Sequence, residues 1–114
     1  MNPDIVRLLI DFRRDRDWEQ FHSPRNLSAS ICIEAGELLE IFQWAKDGEM
    51  EEIISSRMED IKAEIADIAI LVSYFCHDVG IDIDDCVKAK MVANQNKYPI
   101  EKSRGVSTKY DRLV

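Results

Sequence analysis

Apolar residues recur along this chain with the three-to-four spacing of a helix, and no stretch shows the strict alternation of a strand. Ile5, Leu8, Leu9 and Phe12, at i, i+3, i+4 and i+7, predict a first helix opened by Asn2-Pro3, with Asp11, Arg13, Arg14 and Asp15 on its other side. Residues 16–22 lose clean periodicity, so Trp18, Phe21 and His22 are expected on a connection. Ser23-Pro24 then starts a second helix over about residues 24–46, stopped by Asp47-Gly48. After an acidic stretch at 49–55, long enough for a short helical turn, Ser56-Arg57-Met58-Glu59 has the form of a capping box. A third long helix is predicted from about residue 57 to Val79, with Gly80 ending it. Asp82 caps a fourth helix, Asp84 and Asp85 sit at its positive end, and Pro99 stops it. The expectation is an all-α, four-helix bundle over residues 1–100, followed by a polar, mobile tail at 101–114.

The second helix breaks the usual division between apolar and polar faces. At about 100° per residue, Glu34 points with Leu27, Leu38, Ile41 and Ala45, in the middle of the apolar stripe. Glu37 flanks it at i+3. The third long helix repeats the arrangement, with Glu64 among Ile61, Ile68, Leu71 and Phe75 and with Asp67 at i+3. Two antiparallel helices meeting through these stripes would gather four carboxylates in one pocket. An ionised carboxylate in an apolar setting needs compensation, and neither stripe supplies a Lys or Arg within a turn of its acids. Four oxygen donors with no matching Cys or His describe a site for a hard cation, Mg²⁺ or Mn²⁺, with Glu34, Glu37, Glu64 and Asp67 as ligands. Asp60 is the most plausible additional ligand.

Composition narrows the partners. With 114 residues, 46% hydrophobic and 32% charged, the chain is one globular domain for which a homodimer or homotetramer would help to complete the core. A formal net charge of −7, without a long Lys or Arg run, argues against nucleic acid or an anionic membrane as partner. The start lacks signal-peptide character and no apolar stretch is long enough to span a bilayer, so a cytoplasmic location is expected. Cys32, Cys86 and Cys76 are odd in number and widely spaced, which reads as reduced packing residues.

Two further groups carry candidate chemistry. Trp44 projects from the Glu37 side of its helix, where it could wall a base-stacking slot. On the fourth helix Lys90, Asn94 and Lys97 share one side at i, i+4 and i+7, donors suited to a polyphosphate or a sugar hydroxyl.

Taken together, Glu34-x-x-Glu37 and Glu64-x-x-Asp67 on successive long helices resemble the all-α, MazG-type nucleoside triphosphate pyrophosphohydrolases. The words Phe21-His22-Ser23-Pro24-Arg25-Asn26-Leu27, Glu37-Leu38-Leu39-Glu40-Ile41-Phe42-Gln43-Trp44 and Lys90-x-x-x-Asn94-x-x-Lys97-Tyr98-Pro99 are similar to the short branch that includes the dCTP pyrophosphatases. The resemblance covers roughly residues 5–100. It implies that the four acids bind Mg²⁺, and that water splits a nucleoside triphosphate between the α- and β-phosphates into a monophosphate and pyrophosphate. Trp18, His22 and Trp44 would line the base pocket, Asn94, Lys97 and Tyr98 would meet sugar and phosphates, and Glu34 or Glu37 would act as general base. The implied substrates are deoxynucleoside triphosphates, dCTP or a modified dCTP first, in a role that clears unwanted nucleotides. Leu71 stands where the dCTP-preferring branch leads one to expect an aromatic, and the aromatic comes at Tyr74. Three alternatives compete: a phosphoribosyl-ATP pyrophosphohydrolase, a carboxylate-bridged di-iron bundle, and a helical interaction module. The di-iron reading needs two Glu-x-x-His motifs, and only Glu19-x-x-His22 is present.

Overall fold

The structure, a computed structural model, describes residues 1–114 and is helical throughout, without strands. Its six helices are α1 (Pro3–Asp15), α2 (Pro24–Phe42), α3 (Met50–Ser56), α4 (Met58–Val79), α5 (Ile83–Lys97) and α6 (Ile100–Ser103), with 3₁₀ turns at Glu19–Phe21, Asp47–Glu49 and Tyr110–Arg112. They fall into two compact units, Met1–Gly80 and Ile81–Val114. None of the helices is long and apolar enough to cross a membrane.

In the first unit the starts of α1 and α2 follow the local chemistry. Asn2 Oδ1 accepts from the Asp4 N–H at 2.8 Å and Ser23 Oγ from the Asn26 N–H at 3.1 Å, each just ahead of a proline whose missing N–H costs nothing at that position. The α2–α4 pair forms the main packing interface of the unit. The His22 ring, just before α2, packs 5.2 Å from Tyr74 late in α4, whereas Glu34 further along α2 meets Glu64 earlier in α4. The opposite order of these pairs makes α2 and α4 antiparallel. Leu27, Ile31, Glu34, Leu38 and Ile41 all lie on the covered side of α2, and Ile61, Glu64, Ile68, Leu71 and Phe75 on that of α4, so both acid-bearing stripes face inward.

Three local expectations change. α2 ends at Phe42, not near residue 46, because Lys46 is extended and the Asp47-Gly48 pair opens the 3₁₀ turn that leads into α3. The predicted capping box does not form: α3 runs almost directly into α4, the Arg57 N–H bonds back to the Ile53 carbonyl at 2.8 Å, and the Ser56 hydroxyl turns to that same carbonyl. On α1 the covered side carries Val6, Leu9, Ile10 and Arg13, while Ile5, Leu8 and Phe12 are exposed. The helix is thus rotated from its apparent stripe, and Arg13, assigned by sequence to the polar side, is buried. Charge compensation from α4 explains the rotation. Arg13 forms a two-pronged ion pair with Asp78 at 2.7 and 2.9 Å and lies 4.5 Å above the Tyr74 ring, whose hydroxyl donates to the Leu9 carbonyl at 2.8 Å.

The helix end at Gly80 needs a left-handed residue, with φ at 79°, and its N–H closes the last turn on the Cys76 carbonyl. In the second unit Asp82 Oδ1 caps α5 through the Asp85 N–H at 3.1 Å. Within that unit the segment after α6 folds back on α5, with Tyr110 edge-on to Tyr98 and 4.6 Å from the Lys97 ammonium. The three cysteines are free, but Cys32 and Cys86 are exposed, so the expectation that all three pack inside fails for those two. Fully buried apolar side chains are few, namely Leu27 and Tyr74.

Candidate active site

Glu34, Glu37 and Glu64 converge where α2 crosses α4, with one oxygen of each within 4.8 Å of the others. Glu34 and Glu64 are half-buried, and Glu37 stands at the open edge. One oxygen of each inner acid, Glu34 Oε2 and Glu64 Oε2, is shielded from water without any hydrogen-bond partner. A carboxylate oxygen deprived of both water and a donor is unfavourable unless a cation or a proton comes to it.

The protonation equilibria report the same crowding. The neighbouring Glu64 carboxyl is the main cause that raises Glu34 above the ordinary glutamate range; Glu37 partly offsets this, and lost hydration and the charges of Glu64 and Asp67 add to it. Glu37 is raised chiefly by Glu34, with lesser contributions from lost hydration and from Glu40. With both inner Oε2 atoms unpartnered, no well-formed carboxyl–carboxylate bond relieves the repulsion. The orphaned oxygens and the all-oxygen donor set fit a hard divalent cation.

Beside the acids lies a cavity of about 450 Å³. Glu34 and Asp67 contribute its acidic wall, Leu9, Ile70 and Leu71 an apolar wall, and Phe12, Trp18, His22 and Tyr74 its aromatic rings. Asp67 therefore lies next to the three-glutamate cluster and acts electrostatically on Glu34 while remaining exposed itself. Trp18 is braced edge-on by Phe12 at 5.7 Å, and the Arg16 guanidinium caps the other ring at 3.6 Å. Such a space, apolar and ring-lined with carboxylates on one wall, suits a flat heterocycle joined to a cation-neutralised anion.

Other sequence candidates are distributed differently. Trp18 and His22 share the cavity, but Trp44 does not line it and is 87% exposed. Lys90, Asn94, Lys97 and Tyr98 belong to the second unit, where Asn94 is half-buried and the other three are exposed. Asp60 is not a member of the cluster; Arg57 Nε holds its carboxylate at 2.9 Å. Tyr74, the displaced aromatic, does line the cavity next to Leu71, but its hydroxyl is committed to Leu9.

Sequence reasoning missed Arg13 and its pairing with Asp78. Arg13 Nη1 approaches His22 Nδ1 at 3.4 Å while holding Asp78. Burial, and next the Arg13 charge, hold the His22 imidazole below its ordinary range, with Asp78 partly opposing; hydrogen bonding to Arg13 pulls Asp78 below the usual carboxylate range. No local sequence signal marks it, because Arg13 stands among Asp11, Arg14 and Asp15 on the apparent polar side of α1.

The fold and site define a helical protein whose two antiparallel acidic helices present a three-glutamate cluster beside an aromatic cavity. The chain belongs to the MazG-like family, which it matches over residues 29–113. It is 40% identical over 112 residues to dCTP pyrophosphatase 1 of Bos taurus and 39% identical over 112 residues to that of Homo sapiens, in each case over 96% of this chain. It spans 66% of the length of these two relatives. A pyrophosphatase structure from Archaeoglobus fulgidus is also similar, with a TM-score of 0.82 and 40% identity, covering 84% of this chain and 90% of that one.

Proposed function

We propose that this protein is a nucleoside triphosphate pyrophosphohydrolase that converts deoxynucleoside triphosphates, dCTP or a modified dCTP first, into the monophosphate and pyrophosphate. The observation that carries this reading is the pair of shielded, unpartnered carboxylate oxygens of Glu34 and Glu64 at the edge of a ring-lined cavity. The similarity to dCTP pyrophosphatase 1 supports the choice of substrate.

Glu34, Glu37, Glu64 and Asp67 would hold the divalent cation, Mg²⁺ or Mn²⁺. When bound, it neutralises charge on the triphosphate and makes the attacking water more acidic. Glu34 or Glu37 would take the proton of that water. Trp18 stacks on the base, His22 reads its edge, and Ile70 and Leu71 keep bulk water away. For Lys90, Lys97, Asn94 and Tyr98 the residue types suit phosphate oxygens and sugar hydroxyls. Trp44, exposed on one copy, suits a surface that a second copy covers; so do Ile33 and Leu39, each about three-fifths exposed on α2. The active species is therefore a homodimer or homotetramer, and the working compartment is the cytoplasm. Neither nucleic acid nor membrane is a partner.

The test is kcat/KM for dCTP, dATP, dTTP, dUTP and CTP with Mg²⁺. The reading expects deoxynucleotides to lead, with dCTP at the front. If only diphosphates or non-nucleotides react, the assignment is wrong.

A further inference from the structure

His22 has two ring nitrogens, and the fold leaves only one of them to a ligand. Arg13 Nη1 carries two hydrogens: one goes to Asp78 Oδ2 at 2.9 Å, and the other faces His22 Nδ1 at 3.4 Å. A guanidinium stays protonated at any physiological pH, so the Arg13 atom can only donate. An Nδ1–H on His22 would set donor against donor beside a full positive charge. Although 3.4 Å makes a weak hydrogen bond, the repulsion in the other tautomer decides the matter. Arg13 cannot swing away, because its side chain is 5% exposed, both its terminal nitrogens hold Asp78, and its plane lies over Tyr74. The ring of His22 is held as well, packed at a 41° tilt with its centroid 5.2 Å from that of Tyr74, which is itself tied to Leu9.

We propose that Arg13, clamped by Asp78, is a positioning residue that fixes His22 as the Nε2–H tautomer, so that the cavity offers a bound base one ring N–H donor. This rests on the reading of the cavity as a base pocket. At that point the base must present a lone pair, either a carbonyl oxygen or an unprotonated ring nitrogen, and an amino group is rejected there. The lowered proton affinity of His22 agrees, since a neutral ring is the one that has a tautomer to fix. Arg13, Asp78, His22 and Tyr74 come from α1, the connection and α4, and none of them is a cation ligand.

The experiment is long-range ¹⁵N–¹H correlation NMR on the ligand-free full chain, with His77→Gln used to assign the two histidines. His22 is expected to show a pyridine-like Nδ1 and a pyrrole-like Nε2. In Arg13→Met, which removes both the charge and the donor facing Nδ1, the signals should average between tautomers. KM for the preferred nucleotide should rise roughly twofold, as the share of the competent tautomer falls to about half, with kcat changing less. An Nδ1–H ring in the wild-type protein overturns the inference even if nucleotides are hydrolysed, and so does an unchanged tautomer in Arg13→Met. A fixed Nε2–H ring in a protein that hydrolyses no nucleotide upholds the positioning and refutes the proposed function instead.

Discussion

Replacing Asp78 by Asn should destabilise the first unit by about 2–3 kcal/mol at neutral pH. Removing one member of a buried ion pair leaves the other charge uncompensated, which costs about 3–5 kcal/mol when both are fully buried. Here the Arg13 side chain is 5% exposed and that of Asp78 27%, so water screens one partner and the effect falls below that range. Asn keeps one acceptor for a single Arg13 N–H, which again favours the smaller figure. In urea the loss should appear as a lower midpoint at unchanged slope, by about 1–1.5 M for a slope near 2 kcal/mol/M, at fixed protein concentration. The effect should also depend on pH. Arg13 lowers the folded-state pKa of Asp78, so the pair's contribution is present above the unfolded aspartate value of about 3.9 and is lost as pH falls through the folded value. Wild type and variant should therefore differ at pH 7 and converge below about pH 4. A difference under about 0.5 kcal/mol at pH 7, or one that persists unchanged in acid, would refute the account of Arg13 burial.

Glu64→Gln should abolish turnover while leaving the fold intact and raising the stability of the cation-free protein, read by thermal unfolding and circular dichroism. Because crowding raises Glu34 and Glu37, their contribution to stability is present below the unfolded glutamate pKa of about 4.3 and is lost as pH rises through the folded values, so stability without a cation should decline across that window, and less steeply in Glu34→Gln. Mg²⁺ should raise the melting temperature of the wild type but not of Glu64→Gln, since a ligand that binds only the folded state stabilises it. Trp18→Ala should raise KM by about tenfold, as expected from one lost stacking contact, and a steady-state assay showing unchanged KM would remove Trp18 from the base pocket. Scattering should report a dimer or tetramer at micromolar concentration, and a monomer there would count against shared apolar surface around Trp44.

The two long acid-bearing helices were legible in the sequence because their signal is local: an acid inside an apolar stripe stays in that stripe wherever the helix packs. Glu34 and Glu64 therefore met as expected. The orientation of α1 was not legible. Of its apparent stripe, Ile5, Leu8, Leu9 and Phe12, only Leu9 stays covered, on a face that contains Arg13, because the residue that makes burial of this charge tolerable lies 65 positions away. Local periodicity carries no information about a partner at that distance. The capping box failed for a related reason: Ser56 is already the last residue of α3, so its hydroxyl has a carbonyl to satisfy before it can cap α4. At the site, spacing alone put Asp67 on a level with the three glutamates, but close approach of α2 and α4 selected Glu34, Glu37 and Glu64 for the tight cluster.

The central claim is that these carboxylates serve cleavage between the α- and β-phosphates. The most direct measurement is product identification after incubation of the purified protein with dCTP and Mg²⁺. The account predicts dCMP and pyrophosphate in equal amounts, with neither formed by Glu64→Gln. Release of dCDP and orthophosphate, or equal turnover by Glu64→Gln, would contradict it.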